Sequence, residues 1–349
     1  MRHILFFLLS ISGVSLIAEP IPPHVGEFSF TDYASYYRSA SNYLSAGTST
    51  TNLPLGGYFQ YINDTLSVNY DLLPALRINA NLGYGNTTAS NPFTTFTGQG
   101  MTEGGVAAQY WFRDKRWAIV PTIKAGFPFY RNSVVITSSQ PNALIGDGTI
   151  WAEGGAWGMF YFHPVTIYGY LGYKYQDTGL ASLLTTDVGA SYRFDAARVR
   201  LGIRGETNVT QDNDTPNPFY RNFLIATADN FSEKFYSINP TLYEAYGEFD
   251  WLFTRMFEGG LGFAQSIYGN NAASGYTIEA MFRFRLPTGE AARQSSKQPE
   301  FNEPPAISEP IFAPAGVPED EINPQPRPRT KKQKNMDQMM QDTERSLEK

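Results

Sequence analysis

The sequence feature that most constrains the fold is a repeated alternation of apolar and polar residues with a period of two. In the stretch GYTIEAMFRFRLP, residues 275–287, every second position from Tyr276 to Leu286 is apolar or aromatic. The intervening positions are charged or polar except for one methionine. Because successive side chains of a β-strand point to opposite faces, this pattern predicts a strand with one apolar and one polar face. A helix would instead repeat about every 3.6 residues.

The same alternation recurs along the chain and predicts about twelve antiparallel strands. Their predicted spans are residues 28–45, 56–70, 75–87, 100–112, 116–127, 149–162, 165–176, 182–194, 197–209, 238–253, 256–268 and 275–286. Tight turns alternate strictly with a second set of connections that are long or rich in glycine and asparagine. This second set is 46–55, 88–99, 128–148, 177–181, 210–237 and 269–274. Short periplasmic turns and longer outer loops are typical of bacterial outer-membrane barrels, and an even strand number places both chain ends on the periplasmic side.

The solvent on the apolar face decides the fold class, because a soluble antiparallel sheet also alternates. Here the apolar faces end in aromatic residues such as Trp117, Phe162 and Phe194. Aromatic residues at the edges of an apolar band are typical of membrane barrels. The chain has no cysteine, which excludes disulfides and thiolate metal sites and makes a closed hydrogen-bond ladder the expected source of stability. We predict an all-β, transmembrane, antiparallel up-and-down β-barrel over residues 28–286, with a soluble sandwich as the alternative.

Both ends of the chain differ in composition from the strand region. Residues 1–18 combine a basic start with an apolar core, which predicts a secretory signal peptide or, alternatively, a membrane-anchoring helix. Residues 19–27 then form an N-terminal periplasmic lead. Residues 287–334 are rich in Pro and Glu, which predicts a disordered linker, and residues 335–349 predict a short amphipathic helical tail. No apolar run of about 20 residues follows the signal, so a transmembrane helix is not expected in the mature chain.

The polar faces of the predicted strands would enclose the lumen of the barrel. The charged residues that we expect to line it are Arg77, Lys124, Lys174, Arg193, Arg198, Arg200, Arg204, Glu206, Glu244, Glu248, Asp250, Glu258, Glu279, Arg283 and Arg285. One interpretation is a charged pore lining that selects small polar or ionic solutes. The other is a set of salt bridges that fills the lumen and stiffens the wall, because unpaired charges in a dry core are costly.

The longest loop, residues 210–237, combines apolar residues with an acidic stretch. We expect Phe219, Tyr220 and Phe223 to fold inward as a constriction of the lumen, and docking on the barrel rim is the alternative. The acidic stretch 212–214 offers oxygen ligands to a cation, but a turn-forming surface loop explains it more simply. We therefore expect no metal site and no cofactor.

Enzymatic and nucleic-acid functions are not expected from this sequence. His24 and His163 are the only histidines after the signal, and neither lies in a pattern with a serine or an acid that would support general base catalysis. No long basic surface suggests nucleic acid. The basic residues from Arg327 to Lys334 are a candidate contact for anionic lipid or for a periplasmic partner, and a solvated charge run is the alternative.

These features together resemble bacterial outer-membrane β-barrel proteins in general. The final strand YTIEAMFRFRL resembles the C-terminal signal that the barrel-assembly machinery reads during insertion, except that about 60 further residues follow it here. The stretches RWAIVPTIKAGFPF, IGDGTIWAEGGAWGMFYF and YGYLGYKYQDTG resemble the transporter-like barrel family linked to aromatic-compound (phenol) degradation pathways, over residues 55–286. That resemblance implies uptake of small hydrophobic or aromatic solutes.

The sequence thus predicts a protein of the bacterial outer membrane that passes or takes up small solutes through a charged lumen. Its expected partners are outer-membrane lipid, the barrel-assembly machinery during insertion, and the solutes. The alternative is a non-conducting structural or interaction barrel whose periplasmic tail binds a partner.

Overall fold

The computed structural model describes residues 22–44, 46–131 and 142–287, so the predicted signal peptide, the linker after Pro287 and the helical tail lie outside the described residues. Twelve long strands account for most of this region. They are β1 (Glu27–Tyr43), β2 (Tyr58–Leu73), β3 (Leu76–Ser90), β4 (Thr95–Tyr110), β5 (Trp117–Pro128), β6 (Trp151–Phe162), β7 (Val165–Gln176), β8 (Leu183–Arg193), β9 (Ala197–Asn208), β10 (Thr241–Leu252), β11 (Phe257–Asn270) and β12 (Ala272–Pro287).

The twelve strands form one closed antiparallel barrel. Each strand pairs with the next along the chain, and β12 returns to pair with β1, from Pro287 opposite Glu27 to Ala272 opposite Tyr43. Closure gives the backbone N–H and C=O groups of the wall a partner in a neighbouring strand, which a spanning sheet requires because hydrocarbon offers no hydrogen bonds. Two short strands extend the pairing at the rims, Thr51–Asn52 on β1 and Phe112–Arg113 on β5. Among the described helices, none has the length and apolar character needed to cross a bilayer.

The outer face of the barrel is an apolar band. Large aliphatic side chains there are strongly exposed, for example Ile123 at 70% and Leu201 at 63%. Aromatic pairs border the band at both ends. Near the short turns they are Tyr110–Phe112, Tyr192–Phe194, Phe249–Trp251 and Phe257–Phe284, and near the long loops they are Tyr36–Tyr276, Phe127–Phe129 and Tyr243–Tyr268. An exposed apolar wall with aromatic borders is stable in a bilayer and not in water.

The inner face accommodates large tyrosines by placing them against glycines of the neighbouring strand. Tyr246 of β10 lies opposite Gly202 of β9, where an added Cβ would be 2.7 Å from the tyrosine hydroxyl. Tyr168 of β7 lies opposite Gly189 of β8, with a corresponding separation of 2.6 Å. Because Gly189 and Gly202 are themselves paired, both rings lie against one glycine row of the wall.

Two of the connections predicted to be long are tight in the structure. Residues 91–94 alone join β3 to β4, and Asn271 alone joins β11 to β12, with a φ of 45°. The prediction of strictly alternating short and long connections was therefore wrong at 88–99 and 269–274. The strands continue past the apolar band, because polar residues such as Thr88 and Thr97 still pair in the ladder and threonine favours strands.

The connection from β9 to β10 contains the helix α1 (Phe219–Ala228). Its buried residues are Arg221, Leu224, Ile225 and Ala228, spaced as one face of a helix. The connection leaves the barrel after Asn208 and returns at Thr241, at the end of the barrel that carries the longer loops, hereafter the loop end. The opposite end, with the short turns and both strand termini Glu27 and Pro287, is hereafter the turn end.

Candidate functional site

The lumen of the barrel carries a ladder of ion pairs between β9 and β10. Arg198, Arg200 and Arg204 lie directly opposite Asp250, Glu248 and Glu244 in the strand register. The Arg198–Asp250 pair has an N–O distance of 2.9 Å and the Arg204–Glu244 pair one of 3.2 Å, and Arg200 also contacts Glu248 directly. The basic and acidic blocks seen in the sequence are therefore neighbouring walls that pair in register.

A second group of ion pairs surrounds Glu258 on β11 near the turn end. The Glu258 side chain is fully buried, and its Oε2 accepts from Arg283 at 3.0 Å and from Arg285 at 2.5 Å. Arg198 approaches Oε1 at 3.9 Å. One carboxylate therefore joins β9, β11 and β12, which ties the closing strand of the barrel to the wall beside it.

The middle of the lumen contains a directed chain of hydrogen bonds. The Tyr246 hydroxyl donates to Asp187 Oδ1 at 2.8 Å, so its single proton is used. The Tyr168 hydroxyl therefore donates to the Tyr246 oxygen, at 2.7 Å. Next to this chain, Arg204 reaches Glu279 Oε1 on β12 at 2.8 Å. These contacts connect β7, β8, β9, β10 and β12 at one level.

The wall formed by β5 to β8 carries a separate polar group around Glu153. Its Oε1 accepts from Lys124 at 3.0 Å and from Thr185 at 3.1 Å, and Tyr170 also donates to it. Nearer the loop end, Lys174 pairs with Glu206 at 3.6 Å, and the Glu206 side chain remains 48% exposed. This pair is the most open of the lumen ion pairs described above.

The fifteen charged residues predicted to line the lumen all lie on strand positions that face inward, as their register with the pairs above shows. The sequence prediction omitted Asp71, whose carboxylate binds Arg77 at 2.5 Å. It also omitted an apolar inner cluster, which includes Trp157, Met159 and Val120. Trp157 and Met159 share the strand parity of Glu153, so extending the alternation of β6 would have placed both of them inside.

A small internal cavity of about 20 Å³ lies among the lumen charges, with Tyr33, Glu248 and Glu279 in its lining. In this lining, the Tyr33 hydroxyl and Glu279 Oε2 are buried atoms for which the described residues provide no hydrogen-bond partner, and the same holds for Arg204 Nη1 of β9. A cavity of this size holds one water molecule. Because a buried polar atom without a partner costs about 1–3 kcal/mol, these groups require hydration.

The mouth at the loop end is crossed by two inward-folded segments. The first, residues 142–148, follows the inner wall: Thr87 donates to the Leu144 carbonyl at 2.8 Å and Tyr61 to the Ile145 carbonyl at 3.2 Å. The second, residues 229–238, is hereafter the plug segment. It is rooted at β9 and β10, yet its Phe235 packs edge-on against Phe59 and Tyr61 of β2, at 5.9 and 4.8 Å between ring centroids.

The plug segment is held by side-chain amides and carboxylates. Asn42 of β1 donates to the Phe231 carbonyl at 2.6 Å and accepts from the Glu233 N–H at 3.2 Å. Asn230 donates to the Ser90 carbonyl at 3.1 Å. Asp229 accepts from the Leu144 N–H at 2.9 Å, which joins the two segments.

Charged groups of the plug segment are taken into the mouth. Burial raises the pKa of Glu233 to about 7 and raises the pKa of Asp229 well above its ordinary range. Burial also lowers the pKa of Lys234, whose ammonium lies 4.0 Å from the centre of the Tyr37 ring. These groups are therefore less stable in their charged forms here than in water.

The aromatic residues expected to narrow the mouth do not point into it. Phe219, Tyr220 and Phe223 lie on the exposed face of α1, at 65%, 57% and 39% exposure. Their exposure follows from the helical spacing, because the buried residues of α1 lie on one face of the helix and these three aromatic residues lie on the opposite face. Phe235, farther along the same loop, occupies the mouth instead.

The acidic stretch 212–214 is bound by a cation of the chain itself. Arg221 of α1 contacts the carboxylate of Asp212 and that of Asp214, the latter at 2.5 Å. Arg221 thus provides the positive charge that a metal ion would otherwise supply. Within residues 22–44, 46–131 and 142–287, no group of three or more His, Asp or Glu side chains is arranged to hold a metal.

His24 and His163 both lie at the turn end of the barrel. His163 is exposed in the two-residue turn between β6 and β7. His24 precedes β1, where its backbone N–H donates to Asp71 at 2.7 Å.

Comparison with solved structures identifies the fold. An outer membrane channel from Pseudomonas putida F1 matches with a TM-score of 0.57 and 10% sequence identity, over 79% of this chain and 100% of that chain. The chain has the fold of an outer-membrane β-barrel. Weaker matches include the NanC porin (TM-score 0.42, 9% identity, 74% of this chain and 100% of that one) and the translocator domain of autotransporter NalP from Neisseria meningitidis (0.40, 12%, 75% and 89%). Neither a family model nor a curated protein sequence matches the chain.

The predicted fold class and location are confirmed by this barrel. The twelve strands, their closure and the exposed apolar band are the architecture of proteins of the bacterial outer membrane. The soluble sandwich considered from the sequence is wrong, because the apolar side chains face outward and the charged ones face the lumen.

Proposed function

We propose that this barrel passes small polar or ionic solutes across the outer membrane through its charged lumen. The observation that carries the proposal is the charged inner face of a barrel whose fold is shared with an outer membrane channel, with Arg198, Arg200 and Arg204 of β9 opposite the acids of β10. This inner face is polar whereas the outer face is apolar, and a path lined by charges favours polar solutes over apolar ones. The ion pairs along β9 and β10 are expected to limit selectivity between cations and anions.

The test is conductance of the purified full-length protein in a planar lipid bilayer. Replacing Arg204 by Gln removes a lumen charge from contact with Glu244 and Glu279, so the permeability ratio should shift toward cations in a salt gradient. Replacing Arg113 by Gln at the exposed turn end is the matched control and should leave the ratio unchanged. If both variants give the same ratio as the parent, the charged lumen is not the conducting path.

A non-conducting structural barrel is the other candidate, and the in-register ion pairs favour it because they fill the lumen with matched charges. The same recordings separate the two functions. Lasting silence of the parent and of every lumen variant, from protein that remains folded, would assign the barrel a structural or interaction role.

A further inference from the structure

The plug segment has an unusual backbone. In the described chain, seven residues other than glycine have a positive φ, and three of them are Asn230 at 51°, Phe231 at 67° and Tyr236 at 61°, with Asn239 at 50° directly after the segment. Asparagine tolerates this region, but aromatic residues adopt it rarely and at a cost. The inward position of the segment therefore stores backbone strain at both of its ends.

The same segment has polar groups without partners. Asp229 Oδ2, Ser232 Oγ, Glu233 Oε2 and Ser237 Oγ are buried atoms that have no hydrogen-bond partner among the described residues. Each such atom would recover hydrogen bonds with water on leaving the mouth. Lys234 would also regain hydration, at the expense of its contact with the Tyr37 ring.

Several contacts oppose this release. The Leu144 N–H donates to Asp229, the Tyr236 N–H donates to Asp147 at 2.6 Å, and Asn271 donates to the Ile238 carbonyl at 2.9 Å. Asn42 makes two hydrogen bonds to the segment, and Asn230 is bound to Ser90 and to Asn91, the latter at 2.8 Å. One backbone bond, from the Ala273 N–H to the Glu233 carbonyl, joins the segment to β12 at 3.2 Å. Phe235 contributes its burial against β2. These are local contacts at the rim, so their loss leaves the strand ladder of the barrel intact.

We propose that the plug segment, residues 229–238, is a movable gate of the lumen, closed by Phe235 and latched to the wall by Asn42. This proposal rests on the proposed passage of solutes, because it names what regulates the same path. Strain and unpaired polar groups favour the open position, and the Asn42 bonds and the Phe235 contacts favour the closed one. A balance between two such positions is the physical basis of a switch.

The position of the gate can be measured without any current, because the chain contains no cysteine. Ser232 is fully buried and its hydroxyl has no partner among the described residues, so Ser232→Cys places a single thiol in the plug segment and removes none of the hydrogen bonds described there. A membrane-impermeant thiol reagent then reacts at a rate set by opening. Asn222→Cys, on the exposed surface of α1, is the reference for an always accessible thiol.

The latch is tested by adding Asn42→Ala to the Ser232→Cys protein. Loss of two hydrogen bonds should raise the open population, and with it the labelling rate, by about 5- to 150-fold. Asn52→Ala, an exposed residue of the same type at the same rim, is the matched control and should leave the rate unchanged. Asn230→Gly keeps the positive φ accessible, removes the second latch, and should act in the same direction as Asn42→Ala. Gel mobility before and after heating confirms that each variant is folded.

The outcomes separate the gate from the passage function. Labelling of Ser232→Cys as fast as Asn222→Cys in the parent background, or equal rates for Asn42→Ala and Asn52→Ala, would overturn the gate. A faster labelling rate in Asn42→Ala with a longer open time in bilayer recordings supports both proposals. A faster labelling rate with no current from any variant keeps the gate and rejects the passage of solutes.

Discussion

The buried carboxylate of Glu258 offers the sharpest test of how the lumen charges contribute to stability. Replacing it by Gln keeps the shape of the side chain and removes its charge. Arg283 and Arg285, two residues apart on β12, would then face each other without the acid that both contact at 3.0 and 2.5 Å. Arg198 would keep its ion pair with Asp250, so the charge left without a partner would lie mainly on Arg283 and Arg285 of β12.

The expected cost follows from burial. Glu258 has no exposed side-chain surface, and Arg285 has 9%. Removing one partner of a buried pair costs about 3–5 kcal/mol, because the remaining charge stays buried without compensation. Glu206→Gln is the matched control, since Glu206 is 48% exposed and lies 3.6 Å from Lys174. A pair that is open to solvent contributes about 0–1 kcal/mol, and the exposed Glu206 carboxylate brings this pair closest to that case.

The measurement is equilibrium unfolding of each variant in guanidinium, with the barrel refolded into lipid vesicles and followed by tryptophan fluorescence. A double variant, Glu258→Gln with Arg285→Gln, should recover part of the loss, because it removes a charge of each sign. A cost below about 1 kcal/mol for Glu258→Gln, equal to that of Glu206→Gln, would refute the reasoning. Water would then screen the Glu258 cluster despite its apparent burial.

Two further predictions concern the wall and the mouth. Ile203 is 48% exposed on the apolar band, and Arg introduced there should lower the free energy of unfolding by about 2–4 kcal/mol. Arg introduced at Asn79, which faces the lumen, should lower it far less. Equal losses in the same unfolding assay would contradict the assignment of the two faces. Burial raises the pKa of Glu233 from 4.5 to about 7 in the closed mouth, so its protonated form favours closure, and the open fraction should rise as the pH increases from about 4.5 to 7. The raised pKa of Asp229 changes the open fraction with pH in the same direction as Glu233, and the lowered pKa of Lys234 changes it in the opposite direction. Glu233→Gln should therefore weaken the pH dependence of the Ser232→Cys labelling rate. An unchanged pH profile would exclude Glu233 as its source.

The barrel itself could be predicted from the sequence because its two faces meet different solvents. Period-two alternation fixes which side chains face lipid and which face the lumen, and a shift by one residue would reverse every one of them. The predicted strand 165–176 has the same bounds as β7, and every predicted strand overlaps one of the twelve long strands. The tight connections at 91–94 and Asn271 were missed because polar residues in a paired strand and in a loop look alike once the apolar band has ended.

The mouth could not be predicted in the same way, because its geometry depends on contacts between distant segments. Phe219 and Phe235 are both aromatic residues of one loop, and only tertiary packing places the second against Phe59 and Tyr61. Part of the information was nonetheless present. Arg221, Leu224 and Ala228 recur at helical spacing. This spacing predicts a helix within the loop and indicates which face of α1 is buried.

The pairing of tyrosine with glycine explains how the interior of this barrel accommodates large side chains. A tyrosine that projected toward the barrel axis would narrow the path, whereas Tyr168 and Tyr246 lie against Gly189 and Gly202 and meet each other through their hydroxyls. The Cβ of a larger residue at Gly202 would lie 2.7 Å from the Tyr246 hydroxyl and 2.8 Å from the nearest atom of its ring, and would force the ring inward. The glycines of the inner wall therefore determine the width of the lumen as directly as the tyrosines do. Replacing either residue type would change that width without changing the charge of the lumen.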